Sequence, residues 1–286
     1  METGFPSFCV IFVIMKLRSK KPVAFQGEIG AFSEMALYNV FDKKTKIRPS
    51  VSFKEVFDSI KSGKCEWGVL PVENSLGGIV YQVWDLLHEY NLHITHETKV
   101  KIEHCLIANP NAKISDIKKV FTHYQAVLQC DNFLRKHKNW VVENAYDTAG
   151  SVKTIKDLGD KSMAAIASEK ASQIYEMRIL AKGIQDSKEN YTRFIVIGRK
   201  KSVSGNKFTL EISIKHMEGS LLEILGIASR YKINLTSIHS RPNKTKPFEY
   251  NFFLEGVCNK QSNKFFAEIK KKSLESKILG TYKASV

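Results

Sequence analysis

Asn190-Tyr191-Thr192-Arg193-Phe194-Ile195-Val196-Ile197-Gly198 sets polar side chains at the mouth of a continuous apolar run closed by glycine. A run of this length bounded in this way predicts a strand buried on both faces. Such strands lie in the middle of α/β sheets, and ligands collect at their ends. Thr192 offers a hydroxyl, and Arg193 a planar fork of donors suited to a carboxylate. Alone, the stretch reads as a loop threonine and a surface arginine. The rest of the chain gives it a site.

Upstream, strand and helix patterns alternate. Val23-Ala24-Phe25 is a short strand. Gly27 and Gly30 precede a helix through Met35 and Leu37, where the backbone can approach an anion at a helix N-terminus. Phe53, Val56, Phe57 and Ile60 share one face of a helix that Ser52 and Glu55 cap as a box, with Val51 and Val56 as its staple and Gly63 as its stop. Trp67 to Val72 is a strand ending in the polar loop Glu73-Asn74-Ser75-Leu76-Gly77-Gly78, followed by a helix from Val80 to Tyr90. Leu92 to Ala108 is extended and carries the chain into a second lobe. There, a helix over Ser115–Lys119, strands at Val120–Thr122, Trp140–Tyr146 and Ala164–Ala167, and helices from Ala126 to Lys136, after Asp147 and after Ser168 alternate in the same way. Alternation of this kind implies parallel-type sheets with right-handed crossovers. Thr122-His123, Thr148, Ser168 and Thr192 recur at strand ends, as a cleft between two α/β lobes requires.

After residue 200 the pattern changes. Phe208, Leu210, Ile212 and Ile214 alternate with Thr209, Glu211, Ser213 and Lys215, which predicts a half-buried strand. Ser220 caps a helix with Glu223 completing the box. Asn234 to Ser240 is extended, Phe248 to Glu255 alternates, a helix holds Phe265, Phe266 and Ile269, and there is room for a strand near Ile278–Tyr282. The order predicts a ferredoxin-like βαββαβ module.

Composition narrows the function. The net charge of +15 permits polyanion binding, but the lysines are dispersed and no zinc-finger, RNA-recognition or helix-turn-helix pattern occurs, so no nucleic-acid partner is expected. The five cysteines are widely spaced without a C-x-x-C, which indicates reduced thiols and a cytoplasmic protein. His93 and His96 fall three apart on a strand and point to opposite faces, so no metal is expected there. The apolar run Cys9–Ile14 is too short for a membrane span and lacks the features of a secretory signal. Residues 1–21 are expected to lie outside the fold, with Met15 as an alternative start.

Gly27-Glu28-Ile29-Gly30-Ala31-Phe32-Ser33-Glu34, Gly68 to Ser75, Asp147-Thr148-Ala149, Ala164 to Ser168 and Asn190 to Phe194 occur together and in order. With Gly219-Ser220-Leu221 and Asn234 through Ser240-Arg241-Pro242, they resemble prephenate dehydratases that carry a C-terminal ACT regulatory domain. The resemblance implies residues 22–200 as the catalytic domain, shaped like a two-lobed periplasmic binding protein with its second lobe at about 100–180. It further implies a linker at 201–207 and an ACT domain over 208–286. The implied reaction is decarboxylating dehydration of prephenate to phenylpyruvate, a lyase step of phenylalanine biosynthesis that needs no cofactor. Phenylalanine would be the allosteric effector and the assembly a homodimer or homotetramer, with no membrane partner.

For the chemistry, Thr192 is the expected donor to the departing hydroxyl, Arg193 the clamp on the pyruvyl carboxylate, and Asn74, Ser75 and Thr148 further substrate contacts. Glu73, Gly30, Ser33 and Phe194 belong to the binding loops or their support, and an ionised Glu73 facing a dianion would repel it. Gly219, Ser220, Leu221, Asn234, Leu235, Ser240, Arg241 and Pro242 are the implied phenylalanine contacts. His239 stands where the family usually has Glu, Ser220 where it has Ala, and Thr122-His123-Tyr124-Gln125 where it has Ser-His-Pro-Gln; the first two bear on regulation. Two rivals are arogenate as substrate and a non-catalytic amino-acid sensor.

Overall fold

The computed structural model describes residues 16–202, 204–243 and 249–284. Cys9, the run to Ile14, Met15 and Phe248 lie outside the described residues.

The first lobe takes β1 (Val23–Gln26), α1 (Phe32–Val40), β2 (Ile47–Ser50), α2 (Phe53–Lys61), β3 (Trp67–Asn74), β4 (Gly78–Ile79), α3 (Tyr81–Glu89) and β5 (His93–Lys101). The second takes β6 (Cys105–Ala108), β7 (Lys119–Thr122), α4 (Tyr124–Gln129), α5 (Asp131–Arg135), β8 (Val141–Asn144), α6 (Thr148–Leu158), β9 (Met163–Ala167), α7 (Glu169–Tyr175) and β10 (Arg178–Lys182). The chain then returns as β11 (Tyr191–Gly198) into the first sheet, whose order is β2-β1-β3-β11-β5, with β4 hydrogen-bonded to β3; the second sheet is β10-β6-β9-β7-β8. Two crossings, after β5 and before β11, therefore join the lobes. A strand that returns from the other lobe enters reversed, so β11 is antiparallel to β3 and β5, and the sheets are mixed, not wholly parallel.

β11 is covered on both faces, as its apolar run requires. Phe194 and Val196 belong to a core with Phe25, Leu37 and Val69, while Ile195 and Ile197 belong to one with Phe57, Leu70 and Trp84.

Local signals fare unevenly. Asp147, Ser168 and Ser52 cap their helices with side-chain oxygens, and Gly159 ends α6 in the left-handed region at φ 66°. Glu55 accepts from Val51 N–H, one residue before the expected box partner, and Val51 is exposed, so the staple is absent. The expected helix at 115–119 is a single 3₁₀ turn over Ile114–Asp116, and Lys119 already belongs to β7. The expected helix 126–136 breaks at Cys130 into α4 and α5. Leu17 pairs with Phe41, and its N–H donates to Val40 C=O at 2.9 Å, so the first lobe begins before Pro22 and residues 17–21 are not outside the fold.

The C-terminal unit is β12 (Lys207–Ser213), α8 (Ser220–Arg230), β13 (Leu235–Pro242), β14 (Tyr250–Val257), α9 (Ser262–Lys272) and β15 (Glu275–Tyr282), a βαββαβ sandwich with the antiparallel order β13-β14-β12-β15. Gly219, in the left-handed region at φ 76°, is the N-cap of α8, so Ser220 is its first residue and not its cap. Both helices pack on the face carrying Phe208, Leu210 and Ile212. The other face was expected to be solvated, yet every residue of β12 is buried. That face docks on the first lobe, where Phe253, Leu279 and Tyr282 join the core around Trp84, Ile195 and Ile197. Lys207 belongs to this strand, so the connection from β11 ends at Asn206.

Candidate active site

A cavity of about 590 Å³ opens between the two lobes. From the first lobe it is walled by Gln26, the α1 N-terminus at Ala31-Phe32-Ser33, Val51 to Phe53, Pro71 and Ile79 to Gln82. From the second come His123 to Ala126, Gln129, Tyr146, Asp147 and Thr148, and at the crossings Ile102, His104, Thr192 and Phe194. No Lys or Arg is among these lining residues.

The polar wall is one connected network, and its amides can be oriented from the backbone outward. Asn74 Oδ1 accepts from the N–H groups of Leu76 (2.9 Å) and Gly77 (2.7 Å), so its Nδ2 is the donating end. Nδ2 donates to Asn190 Oδ1 (2.8 Å), Tyr191 C=O (3.1 Å) and Thr192 Oγ1 (2.9 Å). Asn190 Nδ2 in turn donates to Gln129 Oε1 (2.8 Å), which makes that oxygen an acceptor for His104 Nε2–H at 2.9 Å. Two consequences follow. His104 is a neutral Nε2–H tautomer, in keeping with burial lowering its pKa to about 4. And Thr192 Oγ1 is already an acceptor, so its hydrogen is free to be donated into the cavity.

Thr192 and Arg193 do not act together. Neighbours on a strand point to opposite faces, and Arg193 turns away from the cavity into a cluster of carboxylates. It donates to Glu73 (3.0 Å), Glu97 (2.9 Å) and, through both terminal nitrogens, to Glu255 (2.9 and 2.7 Å). The expected clamp on a substrate carboxylate is thus occupied elsewhere. Glu73 is accounted for by the same pair and faces away from the cleft. Asn74 supports Thr192 from behind, and Ser75 pins the crossing by donating to Glu189 C=O and accepting from Tyr191 N–H, both at 3.0 Å. Neither lines the cavity. Ser33, Thr148 and Phe194 do line it. Gly30, at φ 95°, is pressed against Ala171 of the second lobe.

The far wall is cross-linked between lobes. Glu28 N–H donates to Asp147 Oδ2 (2.9 Å), Tyr146 Oη to Glu28 Oε1 (2.9 Å) and Ser168 Oγ to Gly30 C=O (2.7 Å). Burial raises the Asp147 pKa, opposed by the N–H groups of Glu28 and Gly150. Burial and Glu28 raise the Tyr146 phenol. His123 Nδ1 accepts from Gln125 N–H at 3.3 Å, which leaves Nε2–H toward the cavity, and burial holds the ring neutral by lowering its pKa. Gln129 and His104 were not foreseen, and Asn190 was read only as part of the polar mouth of β11, with no role of its own.

At the C-terminal unit, Ser240 and Asn234 are exposed and Leu221 and Leu235 partly buried. Arg241, expected at the effector, instead grips Asp85 of α3 bidentately at 2.6 and 2.8 Å and lies over the Tyr81 ring.

A family model described as prephenate dehydratase matches residues 23–202. The arogenate dehydratase/prephenate dehydratase 2, chloroplastic, of Arabidopsis thaliana is 37% identical over 250 residues, covering 83% of this chain and 65% of that protein. Among solved structures, prephenate dehydratase in complex with L-Phe from Arthrobacter aurescens superposes with a TM-score of 0.83 at 26% identity, covering 92% of this chain and 89% of that one. GqqA, described as a novel type of quorum quenching acylase, superposes equally well, with a TM-score of 0.83 at 26% identity over 93% of this chain and 98% of that one. With its cleft and Thr192-Asn74 wall inside the matched region, the chain belongs to the prephenate dehydratase family.

Proposed function

We propose that this protein removes water and carbon dioxide from prephenate, giving phenylpyruvate, with Thr192 as the group that assists the departing hydroxyl. The observation that carries this reading is the one-way bond from Asn74 Nδ2 to Thr192 Oγ1, which leaves the hydroxyl hydrogen for a ligand. In the reaction the C–carboxylate bond breaks, and its electron pair completes the aromatic ring. The C–O bond at the opposite ring carbon breaks with its pair staying on oxygen, which leaves as hydroxide and takes up a proton to become water. A hydrogen bond from Thr192 stabilises the charge developing on that oxygen. The same hydroxyl can pass a proton on, resupplied from water in the cleft.

With Arg193 engaged elsewhere, the retained carboxylate falls to uncharged donors. The N-termini of α1 at Phe32-Ser33 and of α6 at Thr148 open on the cavity from opposite lobes, and partial positive charge at helix N-termini favours anions. His123 Nε2–H adds a neutral donor. The absence of Lys and Arg among the described lining residues leaves the departing carboxylate unpaired, which raises the ground state relative to the charge-dispersed transition state.

Side-by-side turnover of prephenate and arogenate tests the reading; phenylpyruvate from prephenate is expected. Acylase activity with turnover of neither substrate would overturn it, and exclusive use of arogenate would keep the chemistry and change the substrate.

Regulation by phenylalanine through the ACT-like sandwich belongs to the same proposal, with Gly219–Leu221 and Asn234–Leu235 as the contacts. The exposed Leu222 of α8 and Ile238 of β13 support self-association of this unit. Phenylalanine is expected to lower turnover and raise the thermal midpoint. No change in either would remove the regulatory part.

A further inference from the structure

Thr192 faces the cavity with its ladder partner Asn74 behind it, and the next pair, Arg193–Glu73, faces the C-terminal sheet. The register between β11 and β3 shifts immediately afterwards, because Phe194 pairs with Pro71 and Val72 is passed over. A bulge, with a proline that has no N–H, leaves this part of the ladder weakly fixed by the backbone. What fixes it is side-chain charge. Glu255 of β14 is 1% exposed and pairs with both terminal nitrogens of Arg193. Tyr282 Oη (3.2 Å) and Thr209 Oγ1 (3.3 Å) donate to the same carboxylate, and Lys207 Nζ with Glu97 (2.6 Å) closes the cluster.

We propose that Glu255 is a positioning residue for the dehydration: by gripping Arg193 it holds Thr192 and Asn74 in register, so the C-terminal unit forms part of the frame of the active site. This rests on the dehydratase reading above. It places the coupling between the two units in one bond pair, one residue from the reacting hydroxyl. Any ligand that displaces β14 then acts directly on Thr192.

The test is Glu255→Gln in the full-length protein, read as kcat and KM for prephenate alongside the thermal midpoint. A displacement of the hydroxyl by about an ångström predicts a fall in kcat of about 10- to 100-fold with KM little changed. Because loss of one buried charge also weakens folding, a second variant, Arg193→Met with Glu255→Leu, removes the pair as a unit and leaves Lys207 with Glu97. Its midpoint is expected to recover while kcat stays low. In a Thr192→Ala background, Glu255→Gln is expected to have no further effect on kcat. Unchanged kcat in Glu255→Gln, or kcat recovering together with the midpoint in the paired variant, would overturn the proposal alone. Lack of turnover by the unaltered protein would sink the dehydratase reading and this proposal with it.

Discussion

Thr192 is a hydroxyl whose acceptor side is satisfied, and its worth to the reaction can be read by removing it. Thr192→Ala deletes one donor to a developing oxyanion, an effect of about 10²–10³ in kcat at comparable sites. The residue is 9% exposed; alanine removes the γ-methyl with the hydroxyl, but Asn74 Nδ2 keeps Asn190 Oδ1 and Tyr191 C=O as acceptors, so the thermal midpoint should fall only slightly. Thr192→Ser keeps the hydroxyl without the β-branch that restricts χ1, and should retain most of the activity. Full activity in the alanine protein would remove the threonine from the mechanism. The threonine was legible in the sequence because a polar residue at the mouth of an apolar run has few structural reasons to be there. Assigning Arg193 to the same ligand neglected the period of two along a strand, which is itself visible in the sequence. Gln129 and His104 were not legible, since their value lies in bonds between residues 25 positions apart.

At the scale of elements, the docking of β15 along β5 sets where the C-terminal sheet lies. His96 and Lys283 form a parallel bridge at this edge. Gly280 is there because nothing larger fits: a Cβ at this position would stand 2.0 Å from Ile94 C=O, a backbone atom that cannot yield without moving β5. Gly280→Ala is therefore expected to push the two sheets apart. The midpoint should fall by several degrees, on the scale of an overpacked core at about 1–3 kcal/mol, and kcat should fall with it as Arg193 loses Glu255. Retention of both values would show that the contact is softer than its geometry. The elements themselves were largely readable from their period and caps. The polar face of β12 was misread as solvent-facing, because alternation reports which residues differ and not what covers each face. Thr209 and Glu211 are buried by another part of the chain, and no local pattern encodes that.

At the scale of the whole molecule, the interface between the first lobe and the C-terminal unit carries an acid-sensitive group. His239 of β13 stacks on Phe253 at 5.3 Å and meets Trp84 edge-on at 4.5 Å, with both ring nitrogens buried and without a hydrogen-bond partner among the described residues. Burial lowers its pKa to about 4, with Glu255 opposing and Arg193 and Arg241 adding to the shift. Position 239 thus serves the intramolecular contact with α3, as Arg241 does through Asp85. The sign of its effect follows from proton counting. Between pH 6.5 and about 4 the unfolded chain binds a proton at this histidine that the folded chain does not, so stability rises with pH across that window and is lost as pH falls through it. His104, also lowered to about 4 by burial, works in the same direction. Glu255 is held below the ordinary carboxylate value by Arg193 and Lys207 against the opposing effect of burial, so its contribution is lost only further into acid. The urea midpoint is therefore expected to decline from pH 6.5 toward 4. His239→Phe, which keeps the aromatic stack and removes the titrating group, should flatten part of that decline while leaving the value near neutrality little changed. An equally steep decline in the His239→Phe protein would assign the acid sensitivity to the other histidines whose pKa burial lowers, His93, His96, His104 and His123, and detach it from His239.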